Sequence, residues 1–141
     1  MGGTLSNLER GAHLIGHHLH PLVRELGITQ AEANVLAQVA AAGPTPIATL
    51  HREFGHKRST LTNVVDRLER HGFVRREVNR DDRRSFIVRL TPAGRAAARR
   101  VTRALEALEG ELAALVTKGD LRAVEVVVRS LEQVAQRTSR H

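Results

Sequence analysis

Asp82-Arg83-Arg84-Ser85-Phe86-Ile87-Val88-Arg89-Leu90-Thr91 opens with an acid and two arginines, runs into a β-prone stretch and ends at a helix start. Before it, Phe73-Val74-Arg75-Arg76-Glu77-Val78 is also β-prone, with partial alternation. The seven residues between the two runs, Asn79 to Ser85, are all polar or charged. The pair reads as a hairpin with a long basic tip. Thr91-Pro92 then supplies an N-cap followed by proline at the first helical position.

Working outward, the segment Lys57 to His71 reads as a helix that buries Leu61, Val64, Val65 and Leu68, and Gly72 closes it. A short helix over Pro46 to Phe54, with Ile47, Leu50 and Phe54 inward, precedes it across Gly55-His56. Two helices joined by a short glycine turn form a helix-turn-helix unit, and the hairpin adds a wing. Upstream, Leu8, Ala12, Ile15, Leu19, Leu22 and Leu26 step by three and four along a helix from Leu5, which Gly27 is placed to end. Thr29-Gln30-Ala31-Glu32 has the form of a capping box and opens a helix carrying Ala33, Val35, Leu36 and Val39, up to Gly43-Pro44.

Downstream, a helix from Pro92 to near Val116 carries Val101, Leu105, Leu108, Leu112 and Leu115. After Gly119, Asp120 is placed to cap a last helix with Leu121, Val124, Val128, Leu131 and Ala135. Both stripes step alternately by three and four, as coiled-coil seams do. One domain of 141 residues has no obvious place to bury two such stripes together with the first helix. A dimer closing on Leu8, Ile15, Leu112, Leu115, Leu121, Val124, Val128 and Leu131 resolves this.

Charge places the partner. The chain carries a formal net charge of +7. Between His51 and Arg100 fourteen lysines and arginines face six acids, a surplus larger than that of the whole chain. So basic a centre suits a polyanion: nucleic acid or an acidic membrane surface. No apolar run approaches the ~20 residues of a membrane span, and the N-terminus has no signal-peptide core, so a cytoplasmic protein is expected. Cysteine is absent, which excludes disulfides, thiol redox sensing and cysteine-ligated zinc. The aromatics are Phe54, Phe73 and Phe86, too few for base-stacking platforms of the single-strand kind.

Three segments, in order and at matching spacing, resemble the multiple antibiotic resistance regulator (MarR) family of bacterial transcription factors. Gly27-Ile28-Thr29-Gln30 leading to Val35-Leu36 is similar to the entry of its second helix. Ser59-Thr60-Leu61-Thr62, Val65-Asp66-Arg67-Leu68-Glu69 and Gly72-Phe73-Val74 resemble its recognition helix. Asp82-Arg83-Arg84-Ser85 with Leu90-Thr91-Pro92-Ala93-Gly94 resembles its wing and exit. The resemblance implies a mainly α fold with a small β-hairpin wing: a winged helix-turn-helix flanked by N- and C-terminal dimerisation helices. It covers 1–141 as one domain, with 5–26 and 92–138 for dimerisation and 29–91 as the DNA-binding lobe. It further implies a two-fold dimer on double-stranded DNA, with Arg84 entering a minor groove, steadied by Asp82. Family ligands are often small aromatic or phenolic anions. His51 and His56 depart from the family pattern, standing where small apolar residues are usual.

The chemistry of the candidate residues agrees. A recognition helix needs short donors and cations on its first turns, and Lys57, Arg58, Ser59, Thr60, Thr62 and Asn63 supply them. The plain reading of the same residues is a solvated helix face. Arg67 belongs to the same candidate set, although Asp66 and Glu69 are near enough in sequence to pair with it. Arg80, Asp82, Arg83 and Arg84 form the candidate wing contact, an arginine gaining from the strong negative potential of a narrow minor groove; the plain reading is a charged tip. Arg75, Arg76 and Arg89 are phosphate contacts or solvated charge. His13 and His17, at i and i+4 beside His18 and His20, have the spacing of two metal ligands but no evident third. Neither metal nor cofactor is expected, and no residue set supports catalysis. The expectation is a homodimeric, sequence-specific regulator that binds a pseudo-palindromic operator, a repressor relieved by a small-molecule effector. A nonspecific nucleoid-type DNA binder and a winged-helix protein adaptor are the competing readings.

Overall fold

The computed structural model describes residues 3–54 and 58–140. Its elements run α1 (Thr4–Leu26), α2 (Gln30–Ala42), β1 (Thr45–Pro46), α3 (Ile47–Phe54), α4 (Arg58–Arg70), β2 (Val74–Val78), β3 (Phe86–Leu90), α5 (Pro92–Ala113) and α6 (Lys118–Ser139). The expected mainly α fold with a hairpin wing is what forms. Internal contacts divide the chain into two compact units, Met1–Ala104 and Leu105–His141.

In the first unit, local signals set the helix ends. Gly27 adopts φ 72°, and the amides of Gly27 and Ile28 return to the carbonyls of Arg24 and Val23, closing α1. Thr29 and Glu32 form the full capping box of α2. Gly72 ends α4 in the same way as Gly27 ends α1, with its own amide on Glu69 and that of Phe73 on Leu68. The core joins Leu19 and Val23 of α1, Leu36 and Val39 of α2, Leu50 of α3, the α4 stripe, Val74, Val88 and Leu90 of the sheet, and Ala97, Ala98 and Val101 of α5.

The sheet is three-stranded and antiparallel, in the order β1-β3-β2. The hairpin is therefore not alone. Thr45 pairs with Val88, and Pro46, read from sequence as the first residue of a helix, pairs with Ile87. The proline sits in a two-residue edge strand, where a missing N–H is tolerated.

Three helix expectations change. Helix α4, described over Arg58–Arg70, ends one residue before the expected His71; Lys57, its expected first residue, and the Gly55-His56 connection lie outside the described residues. Helix α5 stops at Ala113, short of Val116. In the second unit α6 starts at Lys118, and its N-cap is Thr117. Asp120 is the third helical residue, completing a box in which the Thr117 hydroxyl accepts from the Asp120 amide and the Asp120 carboxylate accepts from the Thr117 amide. Gly119 thus lies within the first turn, and a Thr-x-x-Asp signal outweighs it.

The α1 stripe is fully covered only at Leu19. Leu19 is fully buried, Leu8, Leu22 and Leu26 are half-buried, and Ala12 and Ile15 are exposed. Val23 joins Leu19 in the core although it is not part of the expected stripe. Pro21 lies inside α1 and cannot donate to the His17 carbonyl, yet the helix continues through it.

Candidate nucleic-acid interface

Helix α4 divides cleanly. Leu61, Val64, Val65 and Leu68 recur at i, i+3, i+4 and i+7 and are at most 1% exposed. Ser59, Thr60 and Asn63 are thereby turned to solvent, and Thr62 is half-buried. The first turn carries no acid. Of the expected donors, Ser59, Thr60 and Asn63 are thus presented together on one outward surface. Arg58 opens the helix, but its side chain, like all of Lys57, lies outside the described residues.

Arg67 is placed otherwise. Its Nε donates to Glu32 Oε1 of α2 at 2.6 Å, and neither Asp66 nor Glu69 holds it. Those two acids serve a different arginine. Arg76 of β2 pairs with Asp66 and lies 3.8 Å from Glu69, while its guanidinium carbon stands 4.6 Å from the centre of the Phe86 ring. Read from sequence as phosphate contact or solvated charge, Arg76 instead ties the root of the hairpin to the flank of α4. The contact links the two candidate surfaces.

The hairpin tip is ordered by its own backbone. Asp82 N donates to the Asn79 carbonyl, Ser85 N to the Asp82 carbonyl, and Asp81 N to Asn79 Oδ1. Asp82 Oδ1 accepts from the Arg84 backbone amide at 3.0 Å. The carboxylate thus shapes the turn beneath Arg84, holding that residue by its backbone amide. Arg80, Asp82, Arg83 and Arg84 are all exposed. Lower on the hairpin, Arg89 Nε donates to Glu77 Oε1 at 2.6 Å, and Arg75 lies 3.6 Å from the same oxygen. The hydrogen bond from Arg89, opposed by desolvation and helped by the charges of Arg89 and Arg75, holds the Glu77 carboxyl below its ordinary range.

The exit from the wing is a knot of short contacts. Thr91 donates its hydroxyl to the Gly72 carbonyl at 2.6 Å and its amide to the Phe73 carbonyl at 3.0 Å, and accepts from Gly94 N. Gly94 lies so close to Phe73 that an added Cβ would overlap its carbonyl. The start of α5 is thereby seated on the turn that ends α4. Sequence reading places the cap but has no signal for this close approach.

The residues assigned to dimerisation are outward-facing or partly so. Leu8 is half-buried and Ile15 is exposed in the first unit; Leu112, Leu115, Leu121, Val124, Val128 and Leu131 are exposed in the second, and α6 has no buried residue. The histidines His13, His17 and His20 line a cavity of about 320 Å³ with Gly16 and Gln30. No group of three or more His, Asp or Glu side chains among the described residues is placed to hold a metal. None of the described helices is long and apolar enough to cross a membrane.

The model of the MarR family matches residues 28–86, from the turn before α2 to the first residue of β3. An uncharacterized HTH-type transcriptional regulator, YfiV of Bacillus subtilis, is 33% identical over 67 residues, which span 48% of this chain and 42% of that protein. The multiple antibiotic resistance protein MarR of Salmonella typhimurium is 28% identical over 119 residues, covering 84% of this chain and 80% of that protein. Among solved structures, a mutant of MarR from E. coli complexed with operator DNA superposes with a TM-score of 0.68 at 25% identity, over 89% of this chain and 93% of that one.

Proposed function

We propose that this chain is a regulator of the MarR family, a homodimer that binds a pseudo-palindromic double-stranded operator and represses transcription in the cytoplasm. The observation that carries this reading is the joint presentation of two exposed surfaces. Ser59, Thr60 and Asn63 stand on α4, Arg80, Arg83 and Arg84 stand on the wing, and Arg76 locks one to the other. The α4 row fits a major groove, where short polar side chains reach base edges. The wing tip fits the adjoining minor groove, where an arginine meets enhanced negative potential.

Two copies related by a two-fold axis place their recognition helices about one helical turn apart, on the order of 34–36 Å. Polymerase is then occluded. Relief follows when a small ligand binds the lobe spacing that cannot fit DNA better than the one that can, since only differential affinity shifts the balance.

The test is binding of purified protein to labelled duplex from upstream of its own gene, with competitor DNA and at two salt concentrations. A complex that survives excess competitor at the higher salt is expected. Binding lost equally for every sequence would replace this reading by nonspecific DNA packing. Arg84→Ala should weaken the complex and lower the log–log salt slope by about one unit; an unchanged slope would mean that Arg84 does not reach phosphate.

A further inference from the structure

Among the described residues, the buried polar or charged side chains are Glu32 and Thr45. Glu32 is 1% exposed, and a carboxylate in that position is costly unless both oxygens are satisfied. They are. Oε2 accepts from the Thr29 amide at 2.8 Å, and Oε1 accepts from Arg67 Nε at 2.6 Å. One oxygen closes the cap of α2; the other reaches across 35 residues of sequence to α4. A capping box needs only the first of these bonds.

Arg67 is a recognition-helix residue with 44% of its side chain exposed, which by itself suits a DNA contact. Its geometry suits another task. Arg67 falls in line with Thr60 and Asn63, at i, i+3 and i+7, so it belongs to the row that faces outward. The apolar stripe of α4 holds that helix by non-directional packing, which resists separation far more than rotation or sliding. A charged hydrogen bond at the C-terminal part of the row adds a directional restraint from α2, beside the one that Arg76 supplies from the hairpin.

We infer that Glu32 is a positioning residue for DNA recognition: through Arg67 it sets the rotation of α4, and with it the aim of Thr60 and Asn63, and Arg67 acts on DNA by this route and not by touching it. The inference rests on the DNA-binding reading above. It makes operator specificity depend on a side chain buried in the neighbouring helix, remote from any groove.

The experiment compares wild type with Glu32→Gln, Arg67→Met and the double variant. Each is assayed on operator duplex and on random duplex across a salt series, with thermal melts to confirm folding at the assay temperature. Each single change should weaken operator binding by about 3- to 30-fold. The double should be no worse than the weaker-binding single, and the random-duplex affinity and salt slope should match wild type. A slope reduced by about one unit in Arg67→Met, with random-duplex binding weakened too, would show Arg67 on phosphate and overturn the inference. Unchanged operator affinity with a lowered melting temperature would reduce the pair to a stabilising contact and overturn it equally. If Glu32→Gln does not fold, Arg67→Met and Arg67→Lys decide the matter by the same slope and specificity readouts. Wild type without operator preference would overturn the DNA reading itself, and this inference with it.

Discussion

In α4 the stripe Leu61, Val64, Val65 and Leu68 is closed off by its own chain, at no more than 1% exposure; in α6 the stripe Leu121, Val124, Val128 and Leu131 stands 40–54% exposed. Both are amphipathic helices with the same kind of apolar spacing. Helical periodicity therefore identifies the face that seeks burial without saying what buries it. For α4 the partners are α2, α3 and β2 of the same chain. Helix α6 has no buried residue, and an exposed apolar strip of this kind is what a contact with another molecule would cover. A second copy of the chain supplies it in the reading proposed above.

Placing the same charge in the two stripes should break that comparison most forcefully. Leu131→Asp should leave the fold intact, turn the dimer into a monomer by sedimentation, and weaken operator binding by about 100-fold or more as two-site engagement is lost. Leu61→Asp should unfold the first unit, since it buries an unpaired carboxylate in a filled core. A Leu131→Asp protein that still sediments as a dimer would show that α6 is not the seam.

A smaller effect is expected where the first unit is fastened at the wing exit. Gly94→Ala places a Cβ against the Phe73 carbonyl, a backbone atom that cannot swing aside. Overpacking of this kind costs about 1–3 kcal/mol. The variant should melt lower than wild type while sedimenting as wild type does, because α5 is displaced on its seat and the α6 stripe is untouched. An unchanged melting temperature would mean that the Phe73 turn yields freely.

Much of this was legible in the sequence because it is local. The Thr29–Glu32 box, Gly27 and Gly72 as helix ends, and the polar tip from Asn79 to Ser85 each announce themselves within a few residues. The hidden features all depend on partners distant in sequence. Strand β1 is two residues without periodicity, and it exists because Val88 and Ile87 pair with it. Asp66 and Glu69 read as neighbours of Arg67, but α4 turns them toward Arg76 of the hairpin, and Arg67 meets Glu32 instead. The stripe of α1 is legible as a helix and not as a buried face: nothing in the spacing of Ala12 and Ile15 reveals that they stay exposed while Leu19 does not. Glycine misleads in one place and hides its meaning in another. Gly119 reads as a boundary but lies within α6, and Gly94 reads as motif but is required by contact.

The smallest effect separates the two caps that open α2 and α6. In α2 the capping carboxylate, Glu32, is buried and also engaged by Arg67; in α6 the capping carboxylate, Asp120, is exposed and serves the cap alone. Hydrogen bonds from the Thr117 backbone and side chain hold the Asp120 carboxyl below its ordinary value of 3.8, against a smaller opposing effect of desolvation. A carboxyl depressed in the folded state stabilises fully above its unfolded value and loses that contribution as pH falls through its folded value. Asp120→Asn should therefore lower the melting temperature by a constant small amount from pH 7 down to about pH 5, because the group is ionised in both states of the wild type throughout that window. Below 3.8 the gap between variant and wild type should close as Asp120 takes up its proton. A gap that persists unchanged into acid would mean that Asp120 caps by shape and hydrogen bonding alone, and that its charge adds nothing at the start of α6.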